Sequence, residues 1–253
     1  HTPEALLYHR DFIQQMNMKY IEYSMQRLGI KQSFDNLVLS MTLGAVEVSL
    51  AEMANVYSSF MRGTQYLTES KKTHYIIDSI YDNQGELIYK TKVEEDIVSD
   101  KAIGMQIANV LHSALHYGTG KTPWKYYPTK LNDFDVPSLG KTGTTQGSQR
   151  MAFIGMVPSE YAGQWSLNEG YVMASYIGYD TPTTIRRGSG GSANLPFWLQ
   201  TAQSLSDNGN LGSLERAVPW KPIESDTVEI PFNRYTGSII KSEVEENTTP
   251  TIW

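Results

Sequence analysis

The stretch SLGKTGTTQG, Ser138–Gly147, reads as a strand that runs into a turn. Within it, Lys141-Thr142-Gly143-Thr144 sets a cation, two hydroxyls and a glycine side by side. Side chains alternate along a strand, so Thr142 and Thr144 share a face, where hydroxyls can hold a terminal carboxylate. Lys141 brings a cation to a carboxylate-bearing substrate and to proton-transfer groups. Gly143 removes a side chain, so an extended peptide can lie against the strand edge. A backbone N–H here can contribute to an oxyanion hole, usually the largest electrostatic effect in acyl transfer. Taken alone, the tetrapeptide also fits an ordinary edge strand with a polar turn, and its neighbours have to decide.

Upstream, Ser99 is expected to cap a helix in which Ile103, Ile107, Val110, Leu111 and Leu115 face one way, ending at Gly118. Downstream, RMAFIGMVP and YVMASYIGYD read as two further strands. A short helix with Pro196 in its first turn then carries Phe197, Trp198 and Leu199. Earlier in the chain, THYIIDSIYDNQGELIYKTKV reads as a hairpin around Asp82, Asn83 and Gly85. Ser49 and Glu52 make a capping box for a helix with Met53, Ala54, Tyr57 and Phe60 as its apolar stripe and Gly63 as its stop. Pro3 to Leu28 reads as a helix, on the spacing of Ile13, Met16, Tyr20, Ile21 and Leu28. Helices followed by consecutive strands, without βαβ alternation, predict an α+β fold with helices packed on a mainly antiparallel sheet. From about Asn208 the chain turns polar, so residues 1–207 are expected to form one domain and 208–253 an extension or tail packed on it.

Composition narrows the function classes. Of the 253 residues 40% are hydrophobic and 19% charged, with 16 Tyr and 5 Trp, a globular profile able to bury a core. A net charge of −6, without clustered Lys and Arg, argues against a nucleic-acid surface. No apolar run reaches bilayer length, and no signal peptide opens the chain. The lack of Cys excludes disulfides and thiolate chemistry and fits an extracytoplasmic bacterial setting. Several patterns are set aside. GTGKT, Gly118 to Thr122, imitates the end of a phosphate loop but follows a helix and has Leu115 where that loop needs glycine. Ser138-Leu139-Gly140-Lys141 and Ser238-Ile239-Ile240-Lys241 are formally Ser-x-x-Lys, yet that pair works on a helix, where i and i+3 share a face. His112 and His116 stand one helical turn apart without an evident third ligand, so no metal site is expected. RRGSGGS, with Arg186 and Arg187, reads as a flexible connector.

LGAVEVSLAEMANVYSSFMRG, IANVLHSALHYGTGKT, LGKTGTTQGSQRMAFIGMVPS, ASYIGYDTP and VPWKPIESDTVEIPFNRYTG resemble, in this order, the transpeptidase domain of class A penicillin-binding proteins. In that family Lys-Thr-Gly stands beside Ser-x-x-Lys and a Ser-x-Asn motif. The resemblance implies the penicillin-binding protein/serine β-lactamase-like fold and a serine D,D-transpeptidase. Such an enzyme acylates its serine with a peptidoglycan stem peptide ending in D-Ala-D-Ala and passes the acyl group to a neighbouring stem; β-lactams acylate the same serine. By resemblance, Lys141 and Thr144 are the catalytic residues, for proton-transfer electrostatics and a backbone oxyanion donor. Thr142, Gly143, Thr144 and Thr145 are implied to bind substrate. No metal or organic cofactor is implied. The implied location is the periplasm, at the extracytoplasmic face of a bacterial inner membrane, with any anchor outside this chain.

The second motif falls on His9-Arg10-Asp11, where His9 can move a proton but Asp11 puts negative charge in place of an amide donor. Arg150 and Ala152 stand where the family commonly has Asp and Trp. The family's nucleophile lies well upstream of its second motif, so it is expected on a missing N-terminal half or another chain. An exposed apolar face is expected where that partner would pack. The alternative reading, favoured by His9-Arg10-Asp11, is a non-catalytic module that binds peptidoglycan or a partner protein.

Overall fold

The structure is a computed structural model. It describes residues 3–30, 39–44, 46–69, 74–121, 125, 131, 136–186, 188–213, 236 and 238. Helices and antiparallel strands are distributed over two compact units, His1–Phe60 with Thr64–Val98, and Met61–Gly63 with Ser99–Trp253. The composition is α+β, as read from the sequence.

The first unit holds α1 (Pro3–Arg27), a 3-10 turn (Leu39–Leu43), most of α2 (Leu50–Arg62), and strands β1 (Thr64–Thr68), β2 (Ser79–Tyr81), β3 (Leu87–Lys90) and β4 (Val93–Ile97). The capping box forms as read: Glu52 N–H donates to Ser49 Oγ at 3.1 Å, and Ser49 N–H donates to Glu52 Oε2 at 2.9 Å. The stripe Met53, Ala54, Tyr57 and Phe60 is only half-buried, and the most buried α2 residues in this unit are Asn55, Val56 and Ser59. Of the two buried polar members, hydrogen bonding accounts for Asn55, whereas Ser59 Oγ has no partner among the described residues. Asn55 Nδ2 donates to the Leu28 carbonyl at 3.1 Å, satisfying an acceptor just past the end of α1. Gln65, on β1, donates to the Arg27 carbonyl and to Asp96 Oδ2, each at 3.2 Å. Strand β1 pairs antiparallel with β4, and β2 with β3. The β2–β3 turn closes on Asp82, whose Oδ1 accepts the N–H groups of Gln84 and Glu86 at 2.8 Å, with Gly85 at φ +86.

Of the stripe read over Pro3 to Leu28, Ile13, Met16 and Tyr20 are exposed, while Ile21 and Leu28 are half-buried. On α1, Phe12, Ile13, Met16, Tyr20 and Tyr23 are 52–70% exposed, while Met18 and Glu22 are its buried described side chains. An exposed apolar face therefore exists, and α1 carries it.

The second unit contains α3 (Lys101–His116), β5 (Leu139–Thr144), β6 (Arg150–Tyr161), β7 (Gln164–Gly178), a π turn (Gly190–Asn194) and α4 (Leu195–Asp207). Here the sequence reading needs three corrections. Asp100, not Ser99, caps α3: its Oδ1 accepts Ala102 N–H at 2.8 Å, from an extended backbone (φ −68, ψ 139) that lets a side chain reach the first turn. The buried residues of α3 are Gly104, Ala108 and Leu115, whereas Ile103 and Val110 are 50% and 55% exposed. Small side chains let the helix approach its neighbours closely. The third correction is length, since β6, β7 and α4 all run further than read. A two-residue turn, Ala162 (φ 53) and Gly163 (φ 83), joins β6 to β7 with the paired positive φ of a type I′ hairpin.

The three strands form an antiparallel sheet in the order β5-β6-β7. Its core joins Leu115, Val136, Phe153, Val157, Leu195, Trp198, Leu199 and Leu211. The Phe153 and Trp198 rings meet edge-to-face with centroids 5.3 Å apart, and Trp198 Nε1 donates to the Met173 carbonyl at 3.2 Å. Beyond α4, Leu211 is fully buried and its carbonyl accepts Glu160 N–H at 2.8 Å. The segment VPWKPIESDTVEIPFNRYTG lies outside the described residues except for Thr236. No helix among the described residues is long and apolar enough to cross a membrane.

Candidate functional site

Strand β5 has β6 on one side, and among the described residues no strand pairs with its other edge. Thr145 N–H donates to the Arg150 carbonyl at 3.0 Å, so Thr145 and Arg150 form a hydrogen-bonded pair at the end of the ladder. In an antiparallel ladder such pairs alternate with non-bonded ones. Counting back along the register, Gly143 and Lys141 turn their backbone groups toward β6, and Thr142 and Thr144 turn their N–H and C=O toward the open edge.

The strand carries two glycines with opposite surroundings. Gly140 faces Gly155 across the ladder, and a Cβ on Gly140 would lie 2.5 Å from Phe153 Cζ and 2.7 Å from the Ile154 carbonyl. On Gly155 it would lie 2.6 Å from the Leu139 carbonyl. Core packing requires both to be glycine. At Gly143 a Cβ would meet only Ala152 Cβ, at 3.5 Å, an ordinary contact. Among the described residues nothing obstructs a Cβ on Gly143.

Lys141 is exposed, and its Nζ donates to the Thr142 carbonyl at 2.9 Å, which draws the ammonium group toward the open edge. Thr142 and Thr144 share the opposite face. There Thr142 Oγ1 lies 2.7 Å from Thr119 Oγ1, and Thr144 Oγ1 accepts Gly190 N–H at 3.1 Å. Thr145, exposed, accepts Arg150 N–H at 2.9 Å and pins the turn.

Gly188 to Ser192, read as part of a flexible connector, instead fit tightly behind the strand; Arg187 lies outside the described residues. Ser189 and Ser192 cap each other reciprocally, at 2.9 and 3.1 Å. A Cβ on Gly190 would fall 2.5 Å from both the Gly143 and Ala152 carbonyl oxygens. Asn194, fully buried, donates to the Met151 carbonyl and accepts from Ser175 Oγ at 2.9 Å.

Ser138, before the strand, is fully buried, and its Oγ finds no partner among the described residues. Its carbonyl lies 3.3 Å from His116 Nε2, and the rings of His112 and His116 stack 3.9 Å apart. Burial lowers the His116 pKa to about 4, against the opposing effect of that backbone hydrogen bond. His9 and Asp11 are exposed on α1, in the first unit; Asp11 Oδ1 accepts from Arg10 Nε at 3.0 Å and Nη2 at 2.9 Å. Sequence reasoning missed Gly140, Gly155, Gly190, Gly191, Asn194 and Thr119. Isolated glycines inside strand patterns were the available signal for the first two, since such glycines mark close backbone approach.

No family model matches the chain. Curated relatives do. The chain is 28% identical over 239 residues to "Penicillin-binding protein 1A" of Rickettsia prowazekii, covering 85% of this chain and 26% of that protein. It is 30% identical over 189 residues to the protein of that name from Neisseria flavescens, covering 72% and 21%. The Neisseria lactamica protein is 28% identical over 188 residues, covering 71% and 20%. The chain thus spans about a quarter or less of the length of these relatives.

Proposed function

We propose that this chain, a relative of the class A penicillin-binding proteins, supplies the substrate-aligning strand of a serine D,D-transpeptidase with the fold of that family. Its setting is the extracytoplasmic, periplasmic face of a bacterial membrane. The observation that carries the reading is the open edge of β5. Outward N–H groups at Thr142 and Thr144, an exposed Lys141 and a side-chain-free Gly143 stand along it. An extended stem peptide can add to that edge as a further strand.

In the proposed reaction a serine oxygen bonds to the carbonyl carbon of the penultimate D-Ala, and its proton passes to a base. Thr144 N–H helps hold the oxyanion. Collapse breaks the C–N bond, and terminal D-Ala leaves as an amine that takes up the proton. An amine of a second stem then displaces the serine. Lys141 places positive charge beside these proton transfers, the Thr142 and Thr144 hydroxyls line the substrate's terminal carboxylate, and Thr145 holds the turn that follows through both of its contacts with Arg150. No residue of β5 is offered as the nucleophile, because the adjoining Ser138 hydroxyl is buried.

Fluorescent penicillin tests this on the native full-length polypeptide. The expected result is covalent labelling that falls at least about a hundredfold in Lys141→Ala, with an unchanged melting temperature because Lys141 is exposed. A folded wild-type protein that takes no label overturns the enzyme reading.

A further inference from the structure

The loop that ends α3 belongs to no part of the motif set, yet it reaches the Lys-Thr-Gly-Thr strand. Gly118 and Gly120 fit it closely to the helix end, since a Cβ on Gly118 would lie 2.6 Å from the Ala114 carbonyl and one on Gly120 2.8 Å from Leu115 Cδ1. Gly191 clamps it from the other side, where a Cβ would lie 2.7 Å from the Thr119 carbonyl. Thr119 is thereby an exposed residue on a backbone held from two directions, with its hydroxyl 2.7 Å from that of Thr142.

Counting protons gives this contact a purpose. A threonine hydroxyl has one proton to give and an oxygen that accepts. The Thr119–Thr142 contact consumes one of the pair's two protons, whichever residue donates. Gly190 N–H donates into Thr144 Oγ1, so Thr144 keeps its own proton. Three hydroxyls beside the open edge therefore offer two protons, and an ionised carboxylate, which only accepts, matches them.

We propose that Thr119 is a positioning residue for substrate carboxylate: its hydroxyl orients that of Thr142 toward a carboxylate bound along β5. This rests on the transpeptidase reading. The test measures second-order acylation rates of the native full-length polypeptide with benzylpenicillin and with its methyl ester, which lacks the free carboxylate. Thr119→Val is expected to slow the free acid about tenfold more than the ester. Thr119→Ser, which keeps a hydroxyl, is expected to restore the wild-type acid-to-ester ratio.

A purely structural role would slow both compounds together and lower the melting temperature. A wild-type ratio in Thr119→Val overturns the proposal, as does a Thr119→Ser protein that retains the loss. Should the valine variant fail to melt cooperatively, Thr119→Ala is judged on the same ratio. A wild-type protein acylated by neither compound brings down the transpeptidase reading and this proposal with it, a result distinct from a retained ratio.

Discussion

At one end of β5, Leu139 and Gly140 are buried, Gly140 beneath the Phe153 ring; at the other, Lys141 and Thr144 lie exposed, and a Cβ on Gly143 would meet only Ala152 among the described residues. Six residues of one strand thus pass from core to surface. The two glycines show how differently the same residue can be required. Gly140 is required from inside, because a methyl group there would displace Phe153 from its contact with Trp198. Gly143 meets no such obstruction among the described residues, which points to what lies along the strand edge.

The largest expected effect breaks the buried end. Gly140→Ala overpacks the site where the added atom lies 2.5 Å from Phe153 Cζ, and a loss of about 1–3 kcal/mol in urea unfolding is expected. An unchanged midpoint would mean that the ring has room to move.

An effect of similar size, up to about 3 kcal/mol, concerns the approach to that end, where His116 meets the Ser138 carbonyl. Its folded pKa, about 4, lies below the ordinary 6.5. Between those values the unfolded chain binds the proton more readily than the folded one. The stabilising contribution is therefore complete above pH 6.5 and declines as pH falls toward 4. Subtracting the stability profile of His116→Gln from that of the wild type should isolate this slope. Parallel profiles over that interval would remove His116 as its source.

Gly143→Ala sharpens the contrast with the smallest structural effect. Its stability should change by less than about 0.5 kcal/mol, since the new methyl meets only Ala152 Cβ at 3.5 Å. Penicillin acylation should nevertheless fall about tenfold or more. If stability and acylation fall together, Gly143 belongs with Gly140 as a packing glycine.

Much of the architecture was legible because its signals act within one or two turns of chain. The Ser49–Glu52 box, the Asp82–Gly85 turn and Pro196 at the head of α4 each involve neighbours in sequence. The burial pattern was less legible. On α1 most of an apolar spacing that suits a core is exposed, and on α3 the buried line runs through Gly104 and Ala108. Hydropathy reports which residues favour burial but not how closely another element approaches. The β5 strand and its turn were visible, yet the parts behind it were not. Thr119 lies 23 positions before Thr142, Gly190 lies 46 after Thr144, and Asn194 lies 43 after Met151.

By itself the sequence determined the main helices, the β2–β3 hairpin and the Lys-Thr-Gly-Thr strand with the two strands after it, though not the β1–β4 pair, because propensity, capping and turn chemistry act between residues close in the chain. Only the tertiary structure decided which edge of that strand stays open, which glycines are packed, and that Gly190 and Thr119 hold the threonine hydroxyls. Those outcomes depend on distances between residues far apart in sequence, set only when separate elements pack.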